Sequence, residues 1–142
     1  TALEAGLIPI LCVGETRAKK ERNETEEVVR RQLEIGLSFV IGNDRLKNQG
    51  LYIAYEPVWA IGTGEPETPE SASKIIKYIK NLLNAIPYTL NPKVLYGGSV
   101  DSKNLKDYIQ LDIVDGALVG GASLKKEEVK AMGAIAERLS NY

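Results

Sequence analysis

The sequence contains no histidine, one cysteine, one tryptophan and no long run of apolar residues. Because Cys12 is the only cysteine, an internal disulfide is excluded, and this usage fits a reducing cytoplasm. Without histidine, Cys12 has no histidine base to activate it as a nucleophile. Its neighbours also lack the spacing of a metal site. We therefore predict no bound metal and no cofactor.

Charge and hydropathy exclude several further classes of function. The 142 residues carry a net charge of -1, and no basic stripe is present, which argues against a nucleic-acid partner. No apolar segment approaches the length of a membrane span, and no signal peptide is recognisable. With 44% hydrophobic and 26% charged residues, the composition predicts one soluble globular unit over residues 1–142.

The first residues, 1–6, are typical of the last turn of a helix that ends at Gly6. A domain rarely starts with the end of a helix, and no methionine precedes Thr1. We expect the chain to be the later part of a longer protein, or a cleaved or truncated product. The alternative is a frayed terminus from which the initiator methionine has been removed.

Short apolar segments alternate with helical patterns along the chain. The predicted strands are 7–13, 51–55, 94–96 and 116–119, and the short apolar run 7–13 is expected to be buried. Thr25 is the predicted cap of a helix whose apolar residues continue at helical spacing to Val40, and polar residues at 43–50 predict a loop. Thr68 followed by Pro69 predicts a second helix start.

Two more helices are predicted, at 104–109 and along the apolar stripe from Val129 to Leu139. Strands that alternate with helices predict an α/β fold built from parallel βα units. Four such units are too few to close a (β/α)8 barrel, which takes about 250 residues. The first and last strands are therefore expected to have open edges.

The most informative segment is 54–64, with the sequence AYEPVWAIGTG. It places one carboxylate, Glu56, at the end of a predicted strand, and the rigid Pro57 follows. Trp59 and a tip containing Gly62 and Gly64 come next. This order suits proton transfer in a site closed by a mobile cover. The alternatives are a solvated loop charge for Glu56 and simple packing for Trp59.

Two glycine pairs, Gly97-Gly98 and Gly120-Gly121, follow predicted strands and precede predicted helices. Unobstructed backbone N–H groups in such loops bind phosphate, with help from the dipole of the following helix. A lone glycine pair usually indicates only a tight turn. Two pairs in equivalent positions favour a phosphate site.

The segment 54–64 resembles, almost letter for letter, the catalytic glutamate and hinged lid of the triosephosphate isomerase family, and the YGGS segment at 96–99 also matches. The resemblance covers the whole chain and implies the second half of a (β/α)8 TIM barrel. It implies interconversion of dihydroxyacetone phosphate and glyceraldehyde 3-phosphate, in glycolysis and gluconeogenesis, with Glu56 as the general base.

The resemblance also implies roles for the residues around Glu56. The substrate phosphate would be bound by the backbone amides of four residues, Gly62, Ser99, Gly120 and Gly121. The lid and the residues that contact it would include Trp59, Glu15, Tyr55, Tyr96 and Ser99. The Trp59 indole would exchange between Tyr55 and Glu15, while Cys12 would be a buried packing residue behind Glu56.

The chain departs from the family pattern in two ways. Lys80 stands where the family commonly has an arginine paired with the aspartate that matches Asp115. The family's catalytic histidine, its Asn and Lys of the first strand and its dimer-forming loop belong to the N-terminal half, which this sequence does not contain. We therefore expect the isolated chain to be inactive, and the complete enzyme to be a homo-oligomer. The alternative is a catalytically silent phosphate-binding half-barrel that self-associates.

Overall fold

The computed structural model describes residues 2–38, 50–85 and 92–140. Within these residues, four strands form one parallel sheet in the order β1-β2-β3-β4. The strands are β1 (Ile10–Val13), β2 (Tyr52–Tyr55), β3 (Lys93–Tyr96) and β4 (Gly116–Ala117). Each strand lies beside its sequence neighbour, and the predicted α/β alternation is confirmed.

Five α-helices are found in the described parts of the chain. They are α1 (Arg17–Glu21), α2 (Thr25–Leu37), α3 (Pro69–Asn84), α4 (Leu105–Ile109) and α5 (Lys126–Ser140). The predicted start of α3 is confirmed, because the Thr68 hydroxyl accepts a hydrogen bond from the Ser71 N–H at 3.3 Å. The predicted cap of α2 is wrong by one residue: Thr25 is already helical, and Glu24 precedes it without a side-chain cap.

Some sequence predictions fall at or beyond the edges of the described ranges. Val40 and the predicted loop at 43–49 lie outside them. The predicted helix end at Gly6 is confirmed, because the Leu7 N–H donates to the Ala2 carbonyl and the Gly6 N–H to the Leu3 carbonyl, both at 3.0 Å. With Gly6 at φ +74°, this is a Schellman motif.

The core lies between the helices and one face of the sheet. Strand side chains alternate between the two faces, so every second residue of β1, β2 and β3 points to the helical layer. The fully or nearly fully buried residues of this layer include Val13, Ile53, Tyr55, Val94, Tyr96, Val29, Leu33, Ile76, Ile79 and Tyr108. This packing fixes the positions of the strand ends that follow these residues.

The opposite face of the sheet has no covering layer among the residues that the structure describes. Ile10 is 44% exposed and Tyr52, its partner in register on β2, is 39% exposed. The prediction that 7–13 forms a buried strand is therefore wrong in burial, although β1 is present. The reason is that an apolar strand is buried only where a second layer or strand covers it, and β1 is the edge of this sheet.

A lysine–aspartate pair joins α3 to the sheet, as the sequence allows. The Lys80 Nζ lies 2.7 Å from the Asp115 Oδ2, and the Val94 N–H donates to the same oxygen at 2.8 Å. The Asp115 carboxyl is subject to two opposing effects: burial raises its pKa, whereas bonds from Lys80 and Val94 lower it more, so the net pKa is below the usual value. No helix in the described ranges is both long and apolar enough to cross a bilayer.

Purified alone, the 142-residue chain is expected to associate into dimers or larger species, because its uncovered sheet face is apolar. Ile10→Glu should weaken this association by about tenfold or more, since burying an isoleucine contributes about 1.5–3 kcal/mol. Size-exclusion chromatography with light scattering measures the change. The matched control is Ile35→Glu, because Ile35 is 65% exposed but belongs to α2 in the helical layer. A monomeric wild-type chain, or equal effects of the two substitutions, would contradict the prediction.

Candidate functional site

The carboxyl ends of the parallel strands meet at one edge of the sheet. The candidate residues lie in the loops that follow the strands at this edge. The ladder continues past the strands: the Glu56 N–H donates to the Val13 carbonyl at 2.8 Å, and the Gly97 N–H donates to the Tyr55 carbonyl at 2.9 Å. Glu56 therefore lies between the residues that follow β1 and those that follow β3. The structure brings together the loops that the sequence singled out.

Two glycines make room for Glu56. A Cβ atom on Gly14 would lie 2.0 Å from the Glu56 carbonyl oxygen, and one on Gly97 would lie 2.6 Å from the Glu56 Cγ. Any side chain at either position would displace Glu56 or its backbone. This role of the glycines was not identified from the sequence, but the strand register explains it. Tyr55 pairs with Tyr96, so the residues that follow them, Glu56 and Gly97, are neighbours.

The half-buried Glu56 carboxyl lies beside the thiol of Cys12. Burial raises the pKa of Glu56, while the hydrogen bond from the Cys12 thiol opposes this shift. The pKa of Cys12 is raised in turn by its own partial burial and by the charge of Glu56. Cys12 is thus next to Glu56 as predicted, but it is exposed on the uncovered face of the sheet, so the prediction of a buried residue is wrong.

Glu15 connects the ends of β1 and β2 to the loop 58–64, whose first residues form a 3₁₀ turn, Val58–Ala60. Its carboxyl group is 1% exposed and accepts hydrogen bonds from the Trp59 indole N–H at 2.8 Å and the Tyr55 hydroxyl at 3.1 Å. Its carbonyl accepts from the Val58 N–H at 2.9 Å. The three residues predicted to act together therefore form one hydrogen-bonded cluster, in which Glu15 and Tyr55 are buried and Trp59 is partly exposed.

Ser99 contacts the loop 58–64 at both sides of its tip. Its hydroxyl donates to the Ala60 carbonyl at 2.5 Å and accepts from the Gly64 N–H at 3.2 Å. Ser99 adopts φ +55°, an uncommon conformation for a residue other than glycine, while Gly62 and Gly64 have φ +68° and +77°. The loop is therefore in contact with the end of β3.

Glu67 is held just after this loop by two tyrosines. The Glu67 N–H donates to the Tyr96 hydroxyl at 2.8 Å, and its carbonyl accepts from the Tyr108 hydroxyl at 2.5 Å. The two tyrosine rings are stacked, with centroids 4.2 Å apart. Tyr96 was expected to bond the lid, and in the structure its hydroxyl accepts from a residue just after the loop 58–64. Glu67 and Tyr108 were not identified from the sequence, because no local pattern distinguishes them.

Gly120 and Gly121 follow β4 and face open space. No heavy atom outside the adjacent residues lies within 4 Å of a Cβ built on either glycine, so their backbone is accessible. Gly121 begins a four-residue 3₁₀ turn, Gly121–Leu124, and α5 starts only at Lys126. The glycine pair therefore precedes a helix, as expected, but a 3₁₀ turn lies between the pair and α5. In the described ranges, no cluster of three or more His, Cys, Asp or Glu side chains is arranged to hold a metal ion.

Comparison with known proteins identifies similar sequences. The sequence model of one family, described as "Triosephosphate isomerase", matches residues 1–137. A protein of that name from Herminiimonas arsenicoxydans is 43% identical over 133 residues, which cover 92% of this chain and 52% of that protein. The one from Erwinia tasmaniensis is 46% identical over 131 residues, 91% of this chain and 50% of that protein. The chain spans about half the length of the curated relatives it matches.

Proposed function

The chain belongs to the triosephosphate isomerase family, and we propose that it supplies the general base and the phosphate-binding backbone of a triosephosphate isomerase. The reaction would interconvert dihydroxyacetone phosphate and glyceraldehyde 3-phosphate, in glycolysis and gluconeogenesis in the cytoplasm. The observation that carries the proposal is the position of Glu56, at the carboxyl edge of the sheet between Gly14 and Gly97, next to the loop 58–64.

Glu56 removes a proton from the carbon next to the substrate carbonyl and returns it to the neighbouring carbon. Burial raises the pKa of its carboxyl group, and this makes the carboxylate a stronger base than a solvated one. Gly14 and Gly97 allow this position of the base, because a Cβ atom on either glycine would overlap the Glu56 carbonyl or side chain. The Cys12 thiol, as a hydrogen-bond donor, favours the charged form that accepts the proton.

The substrate phosphate binds to backbone N–H groups rather than to lysine or arginine. The proposed donors are Gly62, Ser99, Gly120 and Gly121. This is supported by the accessible backbone of Gly120 and Gly121 and by the position of Ser99 after the neighbouring strand β3. Backbone amides that already point to one place bind an anion without the entropy cost of ordering long side chains.

The loop 58–64 acts as a lid over Glu56. It is supported at its start by the Glu15 carboxyl and around its tip by Ser99. We propose that the lid opens for substrate exchange, and that the Trp59 indole then leaves Glu15 for the Tyr55 hydroxyl. Closure excludes water, which strengthens the electrostatic interactions of the base with its substrate.

Catalysis requires the missing N-terminal half of the barrel. This chain has no histidine, and the family's electrophilic histidine and its lysine would come from that half. Removal of a single donor that stabilises the developing charge costs about 10²–10³-fold in rate, so their joint absence leaves the isolated chain inactive. The same half would cover the apolar sheet face around Ile10 and Tyr52. The complete enzyme would be a homo-oligomer.

The second candidate function is a catalytically silent phosphate-binding half-barrel that self-associates. The exposed face of the sheet favours it, because two copies would bury that face in each other. The reading frame upstream of Thr1 distinguishes the two functions. A frame that encodes an Asn–Lys strand end and a histidine loop supports the isomerase, whereas its absence supports the silent half-barrel.

Glu56→Gln in the complete barrel is expected to keep phosphate affinity and to lower turnover by about 10²–10⁴-fold or more, because an amide accepts no proton. A coupled assay of triose phosphate interconversion measures turnover. The matched control is Glu137→Gln, because Glu137 is exposed on α5. Near-normal turnover of Glu56→Gln would remove Glu56 from the role of base.

Gly121→Val in the complete barrel is expected to weaken binding of substrate and inorganic phosphate by about tenfold or more, because a side chain there points at the anion. The melting temperature should change little, since the added atoms enter open space. Phosphate titration followed by calorimetry tests this. Ala134→Val adds a branched side chain at an exposed position of α5 and serves as the control. Unchanged phosphate affinity in Gly121→Val would exclude Gly121 from the site.

A further inference from the structure

Helix α1 directs two cations at the ring of Trp59. Arg17 and Lys20 are three residues apart and therefore lie on the same side of the helix. The Arg17 guanidinium carbon is 5.0 Å and the Lys20 Nζ is 4.5 Å from the centroid of the indole. Both distances are within the range of favourable cation–π interactions. Trp59 is thus held by Glu15 through its N–H and by α1 through its ring.

The two cations differ in their second partner. Arg17 pairs with Glu65 at 3.3 Å, but their side chains are 56% and 74% exposed, and such a surface pair contributes about 0–1 kcal/mol. Lys20 forms an ion pair with the carboxylate of Glu67, a residue that is 5% exposed. Loss of the partner of a buried carboxylate is much more costly than loss of an exposed pair.

Lys20 therefore contacts residues at both ends of the loop 58–64, Trp59 at its start and Glu67 just beyond its end. The backbone of Glu67 is at the same time bonded to the hydroxyls of Tyr96 and Tyr108. A single ammonium group contacts both ends, so removal of its charge weakens one contact at each end. Lys20 is 47 positions before Glu67 in the sequence, and the fold alone brings them together.

We propose that Lys20 is a positioning residue that couples the two ends of the loop 58–64 and holds the loop closed over Glu56. The proposal rests on the lid role proposed above. Lys20 does not touch the reacting atoms; it acts through Trp59 and Glu67. Its ammonium lies in a partly enclosed place, where burial lowers its pKa while the nearby Glu15 raises it, the first effect being the larger.

The test is Lys20→Met in the complete barrel, because methionine keeps the length of the side chain and removes the charge. Hydrogen exchange without ligand is followed at the amides of Gly64 and Glu67, which are bonded to Ser99 and Tyr96 in the closed loop. Exchange at both amides is expected to be about tenfold faster. Exchange in β2 should be unchanged, and Lys20→Arg should restore slow exchange.

The matched control is Lys19→Met, because Lys19 is also on α1 but pairs with Glu24, away from the loop. Kinetics give a second measurement: in Lys20→Met, kcat/KM should fall several-fold while the pH dependence set by Glu56 keeps its position. Unchanged exchange at Gly64 and Glu67, or an equal change in Lys19→Met, would overturn the proposal. A wild-type barrel without isomerase activity would instead reject the proposed function, and the exchange experiment would still test the coupling.

Discussion

The buried carboxyl group of Glu15 is the interaction on which the rest of the site depends. A carboxyl group that is withdrawn from water requires hydrogen-bond donors, and leaving it without them costs several kcal/mol. Tyr55 and Trp59 provide these donors from the end of β2 and from the loop that follows. Glu56 lies between Tyr55 and this loop, so its position follows from satisfying Glu15. The site is therefore built around a polar group that performs no chemistry itself.

The candidate site lies at the carboxyl edge of a sheet that is packed by helices on one face and exposed on the other. The helical side of the sheet is closely packed, with residues such as Ile53 and Val94 completely buried. The other side exposes Ile10 and Tyr52, together with the thiol of Cys12, which touches Glu56. The environment of Glu56 is thus fixed on one side by this chain alone. On the other side, the Cys12 thiol beside Glu56 is exposed on the uncovered face of the sheet.

Much of this arrangement could be predicted from the sequence, because it depends on local patterns. The alternation of strands and helices follows from the periodicity of apolar residues, and the cap of α3 follows from the helix-start residues at Thr68. The cluster of Glu15 with its two partners follows from the family resemblance. Helix α1 was missed because its sequence, RAKKE, has Ala18 as its only apolar residue and so shows no apolar period. The exposure of β1 was missed because apolar residues indicate a strand but do not show whether a partner covers it. The contacts of Gly97 and Lys20 depend on register and on residues distant in sequence, and local patterns do not report these.

Under the proposed function, the separation of base and electrophile between two halves of a barrel explains why Glu56 alone would not be sufficient for catalysis. Proton removal by Glu56 places negative charge on the substrate oxygen, and the free energy of that state depends on donors at the oxygen. A stronger base lowers the barrier only partly, since the developing charge remains unstabilised until those donors are present. In the proposed mechanism, closure of the loop 58–64, which contacts Ser99 and Lys20, would exclude water, but exclusion of water strengthens only those donors that are already in place. On this proposal, proton transfer would require both halves of the barrel at the same moment, whereas closure of the loop would depend on contacts within this chain.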